Sequence, residues 1–323
     1  MSFLVIGEAL VDKVRRGDTT TTHPGGSPLN VAVGLARLDR QTTLITRIGD
    51  DDEGEMIAEY LADNGVRLYP GSIDDHPTSV ARVELDDQGD ASYTFEVRSS
   101  FPDVETVKAQ VAAMATDGEI PHAVHIGSVG AHLEPGASQL REWLKALAGK
   151  ATIFYDPNVR LSLVGPAEKM LADIDEMMEY IDVFKCSEDD LYELFEDANA
   201  DRGAKYFLAR GAKLVVITQG KRGLSLYTPH VKVSVPARQL PVVDTVGAGD
   251  SLTSALIDGM SRLTLLGGED AESIPHMSAG SLVSLGSYAA AAAAITVTRA
   301  GANPPTRQEI SQATELYAVT PTL

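Results

Sequence analysis

The stretch DTVGAGD at residues 244–250 stands directly before Leu252 to Met260, a run with helical patterning. Glycine allows backbone conformations that are barred to other residues and lets a ligand approach the main chain closely. Because the first turn of a helix presents amides without intrahelical partners, this stretch predicts a turn that holds an anion such as phosphate. Asp250 would repel a phosphate unless it has its own task, such as accepting the proton of an attacking hydroxyl. The alternative is an ordinary N-cap aspartate after a glycine turn.

The rest of the chain connects this stretch with a known family. Residues 244–250 resemble the DTxGAGD signature of the ribokinase-like (PfkB-type) carbohydrate kinases, and other motifs of that family follow in the same order and spacing. The resemblance implies an α/β fold with a doubly wound, mostly parallel sheet flanked by helices and a small β-sheet lid. It also implies that Asp250 is the catalytic base, and that the amides of Gly247, Ala248 and Gly249 form an anion hole for the transferred phosphoryl group.

Length and composition narrow the class of protein. The chain has 323 residues, and we expect one catalytic domain over 1–323, because α/β folds often reach this size. The 46 acidic and 27 basic residues give a net charge of -19, which argues against nucleic acid as a partner. The single cysteine, Cys186, excludes an internal disulfide framework. The apolar runs are too short or too interrupted for a signal sequence or a membrane span, so we expect a cytoplasmic protein without a membrane partner.

A second glycine turn follows the first expected strand, Phe3 to Ile6, which reads as a buried strand of an open α/β sheet. Ligands bind at the carboxyl ends of such strands. Residues 25–30, GGSPLN, run into a helical pattern and resemble the family's other signature. The resemblance implies that the sugar is contacted by Asp12, Gly25, Gly26 and Asn30, although Asp12 also fits an ordinary surface aspartate.

Two alternating segments interrupt the expected βα order. Ser79 to Leu85 and Ala91 to Val97 predict a hairpin around a turn at 86–90. The resemblance implies that this hairpin belongs to a lid, to which we assign residues 10–22 and 66–100, and that the lid also forms the contact of a homodimer. Such a lid would keep water from taking the phosphoryl group. Arg98 closes the second strand and is a candidate substrate contact, although it also fits an ordinary surface arginine.

Regular βα units follow from residue 103, with a strand at Thr152 to Tyr155. Residues 156–160, DPNVR, come at the carboxyl end of that strand and resemble the DPNxR element of fructokinases. The resemblance implies that Asn158 and Arg160 face the ligand, and arginine is well suited to phosphate. A turn with a surface ion pair is the alternative.

The nucleotide side is expected at two further strand ends. Many relatives carry Asn-x-x-Glu where this chain has Ser187 to Asp190, so direct metal ligation is in doubt here, and contact with magnesium through water is the form we expect. The turn at 218–223 resembles the family's T.G..G turn along the nucleotide. The resemblance assigns Lys185, Ser187, Thr218, Gly220 and Gly223 to the nucleotide, and Glu188 and Asp190 to Mg²⁺.

The C-terminal part is expected to complete the nucleotide site. In relatives, a loop like 263–276 and a helix like the alanine-rich 281–297 wall the adenine. Residues 299–305 resemble the family's GA…P segment. With Asp244 and the backbone of Val246, the carbonyls of this segment are expected to bind a monovalent cation such as K⁺.

These motifs together predict an ATP-dependent kinase that phosphorylates a primary hydroxyl of a small sugar with Mg²⁺ as the ATP cation. The GGSP…N, DPNxR and GANPP elements look most like those of fructokinases, which makes fructose the expected substrate. A 2-keto-3-deoxygluconate kinase, with Arg98 or Arg160 facing the carboxylate, and a ribokinase are alternatives. A catalytically idle sugar-binding relative is the alternative of another class. A nicotinamide dehydrogenase is disfavoured because no dinucleotide fingerprint follows the first strand.

Overall fold

The computed structural model describes residues 1–17, 19–85, 91–102, 104–117, 120–195 and 199–318. The strands are, in chain order, β1 (Ser2–Ile6), β2 (Leu10–Arg16), β3 (Thr19–Gly25), β4 (Gln41–Ile45), β5 (Ile48–Gly49), β6 (Val66–Leu68), β7 (Ile73–Asp74), β8 (Val80–Leu85), β9 (Ala91–Glu96), β10 (Ala123–Gly127), β11 (Thr152–Asp156), β12 (Val183–Ser187), β13 (Leu214–Thr218), β14 (Leu224–Tyr227) and β15 (Lys232–Val235). The α-helices are α1 (Ser27–Arg37), α2 (Asp52–Asp63), α3 (Val104–Asp117), α4 (Gly136–Leu147), α5 (Leu161–Val164), α6 (Ala167–Met177), α7 (Glu188–Leu194), α8 (Ala200–Leu208), α9 (Ala248–Arg262), α10 (Ala279–Thr296) and α11 (Arg307–Ala318).

The large sheet has nine strands in the order β15-β14-β13-β12-β11-β10-β1-β4-β6. All neighbouring pairs from β13 to β6 are parallel, whereas β14 and β15 pair antiparallel at one edge. The chain moves from β1 outward to β4 on one side and later to β10 on the other. This reversal of strand order opens a crevice at the carboxyl ends of β1 and β10, where open α/β sheets bind ligands.

Both faces of the large sheet are covered by helices. On β1, Phe3 and Val5 pack into one buried cluster with α1, α9 and α10. Leu4 and Ile6 point the other way, into a second cluster with α4, α6 and α8. Because successive side chains of a strand point to opposite faces, a strand buried on both faces reads as a continuous apolar run. The doubly wound fold predicted from the sequence is confirmed.

A four-stranded sheet in the order β3-β2-β8-β9 forms the small second layer. Its strands are Leu10–Arg16, Thr19–Gly25, Val80–Leu85 and Ala91–Glu96. Of the lid segments expected at 10–22 and 66–100, the part before residue 80 therefore needs correction, because its strands lie outside this sheet. Val66–Leu68 instead pairs with β4 at the edge of the large sheet, and Ile73–Asp74 pairs with β5. The reason is that β4, α2 and β6 form a βαβ unit, whose second strand returns beside the first. The turn expected at 86–90 lies outside the described residues.

Helices α1 and α9 pack side by side and position the two glycine turns. A Cβ atom on Gly34 would overlap the Ser254 hydroxyl, so the helices approach closely at this point. Pro28 favours the first turn of α1, because its fixed φ is already helical and an amide there has no partner to lose. The two helices therefore begin at the same end of the sheet.

In the described part of the chain, α10 alone has the length and apolarity of a membrane-spanning helix. Half of that window is buried, and Ala289 to Ala292 belong to the core cluster that also contains residues of α9. These are the properties of a core helix, with small side chains that permit close packing. The 3-10 helix Asp270–His276 replaces part of the loop expected at 263–276.

Candidate active site

Gly247 is the N-cap of α9 and has φ 74°, a left-handed conformation that glycine adopts without strain. A Cβ atom at Gly247 would lie 2.7 Å from the Ala302 Cβ, so the turn is also packed against the 299–305 segment. Ala248, Gly249 and Asp250 follow as the first turn of the helix, whose amides lack intrahelical acceptors. The Ala248 amide donates a 3.3 Å bond to Thr245 O. The turn thus offers backbone donors and a positive helix end to an anion.

The Asp250 carboxylate is held by the start of α1. Ser27 Oγ donates to Oδ1 at 2.6 Å, and Asn30 Nδ2 donates to Oδ2 at 2.8 Å. Burial raises the pKa of Asp250, while these two donors and the nearby Lys185 ammonium act in the opposite direction. Asp250 is therefore a partly buried carboxylate in the first turn of α9, with a hydrogen-bond donor on each of its oxygens.

The glycine turn before α1 is shaped by two acids. A Cβ atom on Gly25 would overlap the Asp12 carboxylate, and one on Gly26, where φ is 107°, would lie 2.7 Å from Glu8 O. Asp12 lies on β2 directly opposite His23 of β3. Burial raises the pKa of Asp12. The structure brings Asp12, Gly25, Gly26 and Asn30 to the same place as Asp250, although they were predicted from a separate motif.

Glu8 is a buried acid that sequence reasoning missed. It follows β1, its Oε2 accepts from the Gly130 amide at 2.9 Å, and the Ser128 side chain hydrogen-bonds to it. Burial raises its pKa to about 7, and the charge of Asp250 adds to the effect. A carboxyl residue directly after a buried β1 was the available signal, because this strand end borders the crevice.

The DPNVR element brings a buried ion pair to the site. The Lys185 ammonium on β12 contacts the Asp156 carboxylate at the end of β11, and both side chains are nearly inaccessible to water. A Cβ atom on Gly249 would lie 3.1 Å from Lys185 Nζ, so the ammonium sits beneath the anion-binding turn. Burial is the largest single effect and opposes the charge of Lys185, but the carboxylates of Asp156, Asp190 and Asp250 together raise the pKa of the ammonium. A permanent positive charge therefore lies next to the turn.

The other residues of that element differ in placement. Asn158 has φ 41° and donates from Nδ2 to Ser128 Oγ at 3.3 Å, so it reaches the crevice beside Glu8. Arg160 is exposed and donates to its neighbour's carbonyl, Val159 O, at 2.7 Å. Arg98 is exposed beyond the end of β9, and its amide donates to Ser79 Oγ. Among the described residues, neither guanidinium forms a hydrogen bond or ion pair with a side chain of the crevice.

The two acids assigned to magnesium already have strong partners. Asp190 Oδ2 accepts from the Ser187 amide and hydroxyl at 2.7 and 2.6 Å, and Oδ1 accepts from the Val159 amide at 2.9 Å. Ser187 Oγ in turn accepts from the Asp190 amide, which completes a capping box at the start of α7. Glu188 contacts Arg222 and accepts from Gln219 Nε2 at 3.2 Å. These oxygens do not form a free ligand set, so they do not fit a metal bound directly by the protein.

The expected nucleotide turn lies beside Ser187, because Ser187 and Thr218 are paired at the ends of β12 and β13. Gly220 and Gly223 have φ of 53° and 100°, and a Cβ atom on Gly223 would overlap Val235 O. These conformations explain both glycines. The turn leaves a partly exposed edge next to the N-terminus of α7.

Asp244 joins two loops near the anion-binding turn. Its Oδ1 accepts from the Val246 amide at 3.1 Å and its Oδ2 from the Gly301 amide at 2.9 Å. The Val246 amide is the first cause of the lowered pKa of Asp244. The loops predicted to carry the cation-binding carbonyls are thus adjacent, and the Val246 side chain is exposed.

Comparison with known proteins identifies the class. Residues 4–309 match the model described as the pfkB family of carbohydrate kinases, and the chain belongs to this family. A fructokinase of Rhizobium leguminosarum bv. trifolii is 34% identical over 269 residues, which cover 81% of each protein. Within the family, the chain is most like fructokinases, as its motifs predicted.

Solved structures agree with the fold. The structure of fructokinase with bound ATP from Xylella fastidiosa has a TM-score of 0.84 at 24% identity, with 98% of this chain and 99% of that chain covered. An uncharacterized sugar kinase, PH1459 from Pyrococcus horikoshii, in complex with ATP has a TM-score of 0.75 at 26% identity, with 98% and 100% covered. The predicted ribokinase-like fold is confirmed.

Proposed function

We propose that the protein transfers the γ-phosphoryl group of ATP to a primary hydroxyl of fructose, with Asp250 as general base. The observation that carries the proposal is the placement of Asp250. Its carboxylate is held by Ser27 and Asn30 at the first turn of α9, directly after the N-cap Gly247.

In the proposed reaction, Asp250 accepts the hydroxyl proton as the sugar oxygen attacks the γ-phosphorus. The amides of Gly247, Ala248 and Gly249 receive the charge that spreads over the phosphoryl oxygens. An oxyanion-type donor of this kind contributes on the order of 3 kcal/mol to transition-state stabilisation. Lys185 adds a positive charge beneath the same turn, because its ammonium lies close to Gly249.

Magnesium enters the proposal with its nucleotide, as the MgATP substrate. Asp190 and Glu188 are engaged by N–H, O–H and guanidinium donors, and their contact with the ion would pass through its water shell. We assign Thr218, Gly220, Gly223 and Ser187 to the nucleotide, because they lie at the partly exposed ends of β12 and β13 and in the turn that follows β13. The loops joined by Asp244 are the proposed place for K⁺.

Fructose is proposed because the curated relatives include a fructokinase at 34% identity over most of both chains. Asp12 and Asn30, with the glycines at 25 and 26, are the proposed sugar contacts, and Asn158 extends this set across the crevice. The four-stranded sheet is the proposed lid, and its outer face the proposed homodimer contact in a cytoplasmic enzyme. Arg98 and Arg160 are exposed. The proposal therefore includes no contact with a substrate carboxylate, and an acidic sugar is included only as one of the substrates to be tested.

The test is a coupled ADP-release assay with MgATP and fructose, ketodeoxygluconate, ribose or adenosine, with and without K⁺. We expect the highest kcat/KM on fructose, and stimulation by K⁺. Highest turnover on ketodeoxygluconate, lost in Arg98→Ala or Arg160→Ala, would replace fructose by the acidic sugar. No turnover with any of these substrates, together with sugar binding measured by calorimetry, would identify a catalytically idle sugar-binding protein.

A further inference from the structure

Ser27 is the first residue of α1, and its hydroxyl reaches a carboxylate 223 positions away in the sequence. It donates to Asp250 Oδ1, while Asn30, nearly one turn later on the same helix, donates to Oδ2. Two donors on two oxygens fix the plane of the carboxylate as well as its position. We propose that Ser27 is a positioning residue that holds Asp250 ionised and in one orientation for proton transfer. This inference rests on the proposed role of Asp250.

The backbone of Ser27 is fixed independently of its hydroxyl. Residues from Pro28 to Leu35 are buried, and Gly34 packs against Ser254 of α9. The Ser27 side chain itself is partly exposed. Removal of the hydroxyl therefore leaves α1 in place and deletes one donor. For the same reason a threonine, which keeps the hydroxyl and adds a methyl group, can be accommodated.

The charges around Asp250 explain why the Ser27 hydroxyl affects the ionisation of this carboxyl group. Lys185 on β12 favours the ionised carboxylate, whereas Asp156 at the end of β11 opposes it. Burial opposes ionisation as well, and its effect is the largest. A hydrogen bond donated to the charged form shifts the balance toward that form. Loss of the Ser27 donor should accordingly raise the pKa of Asp250.

The kinetic test compares Ser27→Ala with Ser27→Thr and with Ser254→Ala, a control in the same helix interface that does not contact Asp250. Ser27→Ala should lower kcat/KM on the order of tenfold, the effect of one hydrogen bond to a charged group. The acid limb of its pH profile should move up by roughly one pH unit, with the calorimetric Kd for the sugar unchanged. Ser27→Thr should restore both values. A Ser27→Ala enzyme with the wild-type rate and acid limb overturns the inference.

A second readout does not depend on turnover. Asp250 is titrated by carboxyl ¹³C NMR, with its signal assigned by its loss in Asp250→Asn. A higher pKa of Asp250 in Ser27→Ala, but not in Ser254→Ala, supports the inference, whereas an unchanged pKa contradicts it. If Asp250→Asn keeps the wild-type rate, the proposed base is wrong. If Asp250→Asn is inactive and Ser27→Ala is unaffected in both readouts, only the role of Ser27 is wrong.

Discussion

Two helices carry an aspartate at their third position, and the two aspartates have different hydrogen-bond partners. Asp190 and Asp250 are each the third residue of a helix that starts at the ligand-binding edge of the large sheet. At α7 the N-cap is Ser187, whose amide and hydroxyl both donate to Asp190. At α9 the N-cap is Gly247, which has no side chain to compete for the acid.

The difference shows what a glycine N-cap does beyond its backbone conformation. A serine N-cap binds the acid within its own helix, whereas the glycine leaves Asp250 available to Ser27 and Asn30 of another helix. The first arrangement stabilises a helix end. The second leaves an acid oriented toward a crevice, next to amides that are also unoccupied by a capping side chain.

The comparison is tested most strongly by neutralising each acid. Asp250→Asn should lower kcat about 1000-fold, because a positioned general base contributes 10²–10⁴-fold. Asp190→Asn should leave kcat within a few-fold of wild type but lower the free energy of unfolding by about 1–2 kcal/mol through the damaged capping box. Steady-state kinetics and urea denaturation measure the two effects. Equal losses of kcat in both variants would show that the two acids do not differ in role.

Lys185 connects the two helix starts. Its strand, β12, leads into α7, whereas its ammonium lies close to Gly249 in the first turn of α9. Lys185→Met should lower the free energy of unfolding by about 3 kcal/mol or more, because Asp156 is left buried without a counter-charge. Adding Asp156→Asn should restore much of this stability but not the turnover. Wild-type kcat in the double variant would limit Lys185 to neutralising Asp156.

Those parts of the site whose geometry a local sequence motif determines were predictable from the sequence. Gly247 and Gly249 indicated a turn, and the apolar run of β1 indicated a strand buried on both faces. The bond between Ser27 and Asp250 was not predictable, because it depends on how closely α1 and α9 pack at Gly34. The capping role of Asp190 was readable from its spacing to Ser187, which is the spacing of a capping box.

Glu8 lies near Asp250, and its ionisation should have a smaller effect, on the pH dependence of the free energy of unfolding. A pKa raised from 4.5 to about 7 means that the folded protein favours the neutral acid. The contribution of Glu8 to wild-type stability should therefore decline as the pH rises from about 4.5 through 7, by on the order of 3 kcal/mol at 1.36 kcal/mol per pKa unit.

Glu8→Gln keeps an oxygen acceptor for the Gly130 amide and cannot ionise. Its free energy of unfolding relative to wild type should consequently increase by most of this amount in urea titrations between pH 5 and 8. Glu59→Gln, at an exposed position of α2, is the control. A constant difference between wild type and Glu8→Gln over this range would contradict the buried-acid interpretation.

The smallest expected effect comes from making the two N-caps alike. Ser187→Gly gives α7 the N-cap residue of α9, and glycine costs only a few tenths of a kcal/mol relative to serine at this position, whereas Ser187→Ala costs about 1 kcal/mol. Both variants remove the hydroxyl, so they should raise the KM for MgATP equally if Ser187 contacts the nucleotide. Urea denaturation and KM measurements separate the two roles. A KM that follows the loss of stability, higher in Ser187→Ala than in Ser187→Gly, would mean that Ser187 acts only by capping α7, and the nucleotide contact proposed for it would be withdrawn.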